Sequence, residues 1–147
     1  RIIAAGGFGG KVGSPMQAME TLKTVESYDF KQDTWSSLPP LPYPVSRFGM
    51  AAARGRVYAV GGFNGEYALD SVVSFDPRMR IWKAEPTLCV RRSYASIVVA
   101  GDCIYALGGY NGALFSDTVE MWDTRSGGWT PCSKMQSARA YMGAASL

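Results

Sequence analysis

Histidine is absent from all 147 residues. That removes the imidazole general base, the serine–histidine triad and every histidine-ligated zinc or iron centre. Cysteine is scarce. Cys89, Cys103 and Cys132 lie far apart with no Cys-x-x-Cys pair, which excludes a zinc knuckle and a thioredoxin-type motif. Reduced thiols in a cytoplasmic protein are the expectation. Long apolar runs are missing too: the longest aliphatic stretch, residues 97–100, is far short of the ~20 residues of a membrane span. Residues 1–10 hold no signal-peptide core, and the start at Arg1 reads as excised or processed. Charge is scattered. The balance is 15 − 12 = +3, Arg91-Arg92 is the one basic doublet, and the densest basic cluster is Arg78, Arg80 and Lys83. Nucleic acid and membrane are therefore not expected partners, and no metal or cofactor is expected.

What is present is a repeat. Tyr28-Asp29, Phe75-Asp76 and Trp122-Asp123 are spaced by 47 residues, and so are Trp35, Trp82 and Trp129. Gly-Gly doublets end apolar runs at Gly6-Gly7, Gly61-Gly62 and Gly108-Gly109, the last two again 47 apart. The first interval is 55, and the extra eight residues lie within an insertion near residues 9–23, with room for one helical turn. A shared period of this length means stacked units. Each unit reads as four short strands: in the second, residues 48–53, 56–61, 71–76 and 81–85; in the third, 94–99, 103–108, 118–123 and 128–132. The first strand of each unit is rich in Ala, Gly and Ser, which suits crowding near an axis; the last carries Trp. Such four-stranded units are blades that close into a ring.

The run ending in Gly-Gly, the aromatic-Asp pair and the Trp six residues after the Asp resemble the kelch repeat family over essentially the whole chain. Lys23 departs from the pattern, standing where Asp70 and Asp117 stand. The resemblance implies an all-β fold, a β-propeller of four-stranded antiparallel kelch blades. Three blades' worth of strands is half of a six-bladed ring. Blade one spans 1–45, blade two 46–92 and blade three 93–139, and residues 140–147 supply the first strand of the next blade, over 141–146. Two arrangements follow. Either the chain is part of a longer propeller, or two copies close head to tail, residues 141–146 of one pairing with residues 2–5 of the other.

Several motifs have plain structural readings. GGFGGKVGS misses the phosphate-loop spacing, because Ala5 stands at the first Gly position and Val12 follows Lys11. Asp29, Asp76 and Asp123, with Glu26 and Glu120, are the carboxylates available for acid–base work, but each Asp recurs once per repeat and so reads as a turn-bonding residue. The tryptophans read as packing within or between blades, and Arg92 and Arg139 as lying at blade junctions. SLPPLPYP at 37–44 contains PxxP but has the length of a blade connector. Cys103 and Cys132 have no neighbouring base to lower their pKa.

The resemblance places ligands, often peptides, on the face built from the loops after each doublet and the loops entering each first strand. The residues there are Phe8, Phe63 and Tyr110 after the doublets, Asn64 and Asn111 beside them, Arg47, Tyr94 and Tyr141 opening the first strands, and Ser46 and Ser93 just before. Their composition is that of an interaction hot spot. The insertion, with Met16, Met19 and Leu22, is expected to overhang this face. The implied function is a protein-interaction module, the substrate-recognition domain of a cullin-dependent ubiquitin ligase adaptor. An actin or cytoskeletal scaffold is the alternative within the same class. A sugar-processing enzyme would need convergent carboxylates in the channel, whereas the strands there are Ala, Gly and Ser.

Overall fold

A computed structural model describes all 147 residues. β-Branched and aromatic runs form strands, and Gly, Pro, Asn and Asp separate them. Unit one contains β1 (Ile2–Ala5), β2 (Phe8–Gly9), β3 (Glu20–Thr21), β4 (Val25–Asp29) and β5 (Thr34–Leu38). Unit two contains β6 (Gly49–Ala53), β7 (Arg56–Val60), β8 (Val72–Asp76) and β9 (Ile81–Glu85). Unit three contains β10 (Ser96–Ala100), β11 (Cys103–Leu107), β12 (Val119–Asp123) and β13 (Thr130–Cys132). Pairing is antiparallel and sequential: β1-β4-β5, β6-β7-β8-β9 and β10-β11-β12-β13 are three separate sheets. The insertion adds the short β2-β3 hairpin and a 3-10 turn at Met16–Ala18.

Two expectations need correction. The third unit's first strand begins at Ser96, not Tyr94. Tyr94 sits at φ 56°, a left-handed conformation that a strand cannot contain. Residues 141–146, expected as a further first strand, form no strand. A strand needs a lateral partner for its backbone groups. Here the Tyr141 N–H reaches the Tyr94 carbonyl at 3.1 Å and Ser96 Oγ donates to the Met142 carbonyl, but no strand lies alongside.

The core lies between blades. One cluster joins Tyr58, Val60, Val72 and Leu88 of blade two to Ile104, Ala106, Trp122 and Trp129 of blade three. The other joins Val25, Leu41 and Val45 to Ala59 and Val73. Each late-strand Trp packs on its own blade's aromatic: Trp35 on Tyr28, Trp82 on Phe75, Trp129 on Trp122, at 5.3, 5.1 and 5.8 Å. The indoles of Trp82 and Trp129 also donate 2.9 Å bonds to the Pro39 and Pro86 carbonyls of the preceding connector. The doublet is needed for the same closeness. A Cβ at Gly61 would lie 2.5 Å from the Arg92 carbonyl oxygen, at φ 64°.

The recurring aspartates end their strands as expected. Asp29 Oδ1 accepts from the Lys31 and Gln32 amides, Asp76 Oδ1 from Arg78 and Met79, and Asp123 Oδ1 from Arg125. These bonds favour the ionised form. All three carboxyls are held low, and Asp123, which also takes the Arg125 guanidinium at 2.9–3.0 Å, falls to about 2. A depressed folded-state pKa adds stability above the unfolded value of about 3.9, and that stability is lost as pH falls through the folded value. The thermal midpoint should therefore drop between about pH 4 and pH 2, and less steeply in Asp123→Asn. Thermal melts across that range check this; equal slopes would contradict it.

Candidate interaction face

The residues expected to open the first strands adopt left-handed backbone: Arg47 at φ 57°, Tyr94 at 56° and Tyr141 at 56°. Their backbones form a ladder from blade to blade, Tyr94 N–H to Arg47 O at 2.8 Å and Tyr141 N–H to Tyr94 O at 3.1 Å. The side chains then stack in a row. The Arg47 guanidinium lies 4.4 Å from the Phe63 ring centre and 5.0 Å from that of Tyr94. Tyr94 and Tyr141 stack at 3.8 Å; Phe115 meets Tyr141 at 6.5 Å and Tyr110 at 5.6 Å. The neighbouring Tyr94 phenol, with some burial, holds the Tyr141 hydroxyl above the usual tyrosine value, while Arg47 pulls the other way. Beside the row is a cleft of about 380 Å³ lined by Arg47, Phe63, Glu66, Tyr67 and Tyr110 among others. Arg47 is exposed and has no carboxylate partner.

Five of the ten expected contact residues are thus brought together: Arg47, Phe63, Tyr94, Tyr110 and Tyr141. The other five have different placements. Ser46 and Ser93 are buried, their hydroxyls donating to the Phe63 and Tyr110 carbonyls at 3.4 and 3.1 Å, so they brace the loops, and Ser93 also borders the cleft. The Asn64 and Asn111 side-chain oxygens each accept two amides of their own loop, all at 2.9 Å. Phe8 is exposed on the β2-β3 hairpin, outside the row. The insertion does not line the cleft either. Its Gly10, Lys11 and Val12 border a different groove, on the outer side of blade one. Phe115, Glu66 and Tyr67 were not anticipated. Phe115 has Ala68 at its repeat counterpart, so the exchange of small for aromatic was the available signal.

A family model for the Kelch motif matches residues 1–42, 44–88 and 91–136. The chain belongs to the kelch family. Among kelch relatives, influenza virus NS1A-binding protein homolog B of Danio rerio is 43% identical over 65 residues, which cover 44% of this chain and 9% of that protein. Kelch-like protein 3 of Homo sapiens is 47% identical over 49 residues, 33% of this chain and 8% of that protein. The matches therefore span about a tenth of these relatives' length. The solved structure of YjhT superposes with a TM-score of 0.80 at 17% identity, over 94% of this chain and 50% of that one, a likeness of fold alone.

Other polar groups of these kelch blades serve packing. Arg92 and Glu120 are 1% and 2% exposed and form an ion pair at 2.7 Å. Burial, then the Glu120 carboxylate, raise the Cys89 thiol, which disfavours a reactive thiolate. No group of three or more His, Cys, Asp and Glu side chains converges on one point.

Proposed function

We propose that the kelch blades act as a protein-interaction module whose anchor is the Arg47–Tyr94–Tyr141 row. The observation that carries this is the backbone. A bulky residue at φ near +57° costs roughly 1–2 kcal/mol relative to glycine, and the same position pays it in all three repeats. Each time the strain points a large side chain into one exposed row. The row joins rigid aromatics to an unpaired guanidinium, the residue types that dominate binding hot spots. The favoured ligand is an extended protein segment with an acidic side chain for Arg47 and an apolar one for the aromatic face.

The role that fits this module is substrate recognition in a cullin-RING ubiquitin ligase adaptor, acting in the cytoplasm without catalysis. The matches to Kelch-like proteins support that reading. The cleft is lined by one carboxylate, Glu66, and one cation, Arg47, with no second carboxylate for acid–base work. The test is selection of peptides from a displayed random library on this chain, followed by rebinding to an Arg47→Gly/Tyr94→Gly variant. Retention by the variant would remove the row from the account.

A further inference from the structure

We infer that Glu66 selects a lysine or arginine in the ligand, so that the cleft beside the row reads an acidic and a basic side chain together and turns uniformly acidic segments away. The role rests on the row as the binding face. Both charges of the cleft, Arg47 and Glu66, belong to blade two and meet the loops of blade three. One period on, Tyr94 and Ala113 stand in their places, so the two charges are absent together there.

The loop that carries Glu66 does not need its carboxylate. Residues 63–68 of blade two and 110–115 of blade three form the same loop one period apart. Asn64 Oδ1 accepts the Glu66 and Tyr67 amides at 2.9 Å, and Asn111 Oδ1 accepts the Ala113 and Leu114 amides at the same distance. The Asn64 N–H reaches the Tyr67 carbonyl at 3.3 Å, and the Asn111 N–H reaches that of Leu114 at 3.2 Å. Gly65 and Gly112 turn the chain at φ 102° and 105°. Phe63 bridges Ala68 as Tyr110 bridges Phe115. Blade three builds all of this around Ala113, so the carboxylate of blade two is an addition to a loop that is complete without it. Glu66 is exposed and forms no ion pair.

The two charges share one cleft without pairing with each other. Rings hold the guanidinium of Arg47 at one place, 4.4 Å from the centre of Phe63 and 5.0 Å from that of Tyr94. The braced Asn64 loop holds the Glu66 backbone at another. Arg91, the guanidinium beside Tyr67 at 5.4 Å, is matched by Asp70 at 3.9 Å and leaves Glu66 free. A ligand that brings an acid to Arg47 and a base to Glu66 therefore meets two opposite charges fixed at separate points. A ligand that brings acids alone gains at Arg47 and is repelled at Glu66, and repulsion of the wrong partner is what gives such a face its specificity. The remaining lining suits a long basic side chain. Tyr67, 47% exposed, and Tyr110 offer ring surface along which a lysine or arginine stem packs while its charged head reaches the carboxylate.

The experiment takes peptides selected on the native chain from a displayed random library and measures one of them, synthesised, by fluorescence anisotropy. The proteins are the native chain, Glu66→Ala, Glu66→Lys and Arg47→Gly/Tyr94→Gly, with circular dichroism as the check on folding. The selected sequences should share an acidic and a basic residue at one fixed spacing. Glu66→Ala, which copies Ala113, should fold as the native chain does and bind about fivefold more weakly. Glu66→Lys should bind at least about twentyfold more weakly, because like charges then meet. A peptide with its basic residue exchanged for glutamate should regain at least about tenfold on Glu66→Lys and lose affinity for the native chain. Loss of binding in Arg47→Gly/Tyr94→Gly together with peptides that lack the basic residue, an unchanged Kd in Glu66→Lys or no regain on charge exchange would overturn the role of Glu66 and leave the row standing. Unfolding of Glu66→Ala would overturn it as well, since the carboxylate would then be holding the loop. Retention of the peptide by Arg47→Gly/Tyr94→Gly would overturn the row, and the role of Glu66 with it.

Discussion

Arg92→Ala is expected to cost about 3–5 kcal/mol of folding stability, because it leaves Glu120 buried without its cation. The carboxylate would keep only the Cys89 and Val90 amides, and the Gly108 and Thr118 carbonyls would lose their donor. Urea unfolding gives the loss as a fall in midpoint at constant slope. The partner experiment is Arg92→Val/Glu120→Val with Cys89→Pro, which introduces the residue types that stand one repeat earlier at Val45, Val73 and Pro42. The triple variant should recover most of the loss, since an apolar pair of suitable shape replaces a buried ion pair at little cost. Equal destabilisation by the single and the triple variant would mean that the charge itself is not what holds the junction.

Arg47→Gly/Tyr94→Gly is expected to do the opposite. Glycine relieves the left-handed backbone by roughly 1–2 kcal/mol per site. It gives back about 0.5–1 kcal/mol per site in unfolded-chain entropy, and the stacked rings lose about as much again. Stability should therefore stay within about 1 kcal/mol of the native chain. Binding should not survive. Two adjacent anchors in one row are worth about 2–4 kcal/mol, or roughly 30- to 1000-fold in Kd. Residues that served only to pack the loops would show the reverse pattern, a loss of stability with binding retained by whatever folds.

The period of 47 residues carries most of the architecture, because a blade buries its faces only against its neighbours. Strand order, turn positions and the roles of Asp76 and Trp82 all follow from register. What register leaves out is set by backbone conformation and by neighbours. Tyr94 has the composition of a strand residue, yet φ 56° moves the strand start to Ser96. Ser46 and Ser93 are polar and adjacent to exposed residues, but the cross-loop bridges to Phe63 and Tyr110 bury them. Residues 141–146 have strand composition and no strand beside them. In the sequence Glu120 is one carboxylate among several; its pairing with Arg92, 28 residues away, depends on how two blades meet. The aromatic row was legible as a set of residues, though Phe115, which closes it, was not.

The most direct measurement is calorimetric titration of one library-selected peptide into the native chain and into Arg47→Gly/Tyr94→Gly, with both melting temperatures recorded alongside. A Kd weakened at least about thirtyfold in a variant that melts like the native chain is the predicted result. An unchanged Kd would place the interaction face elsewhere on the molecule.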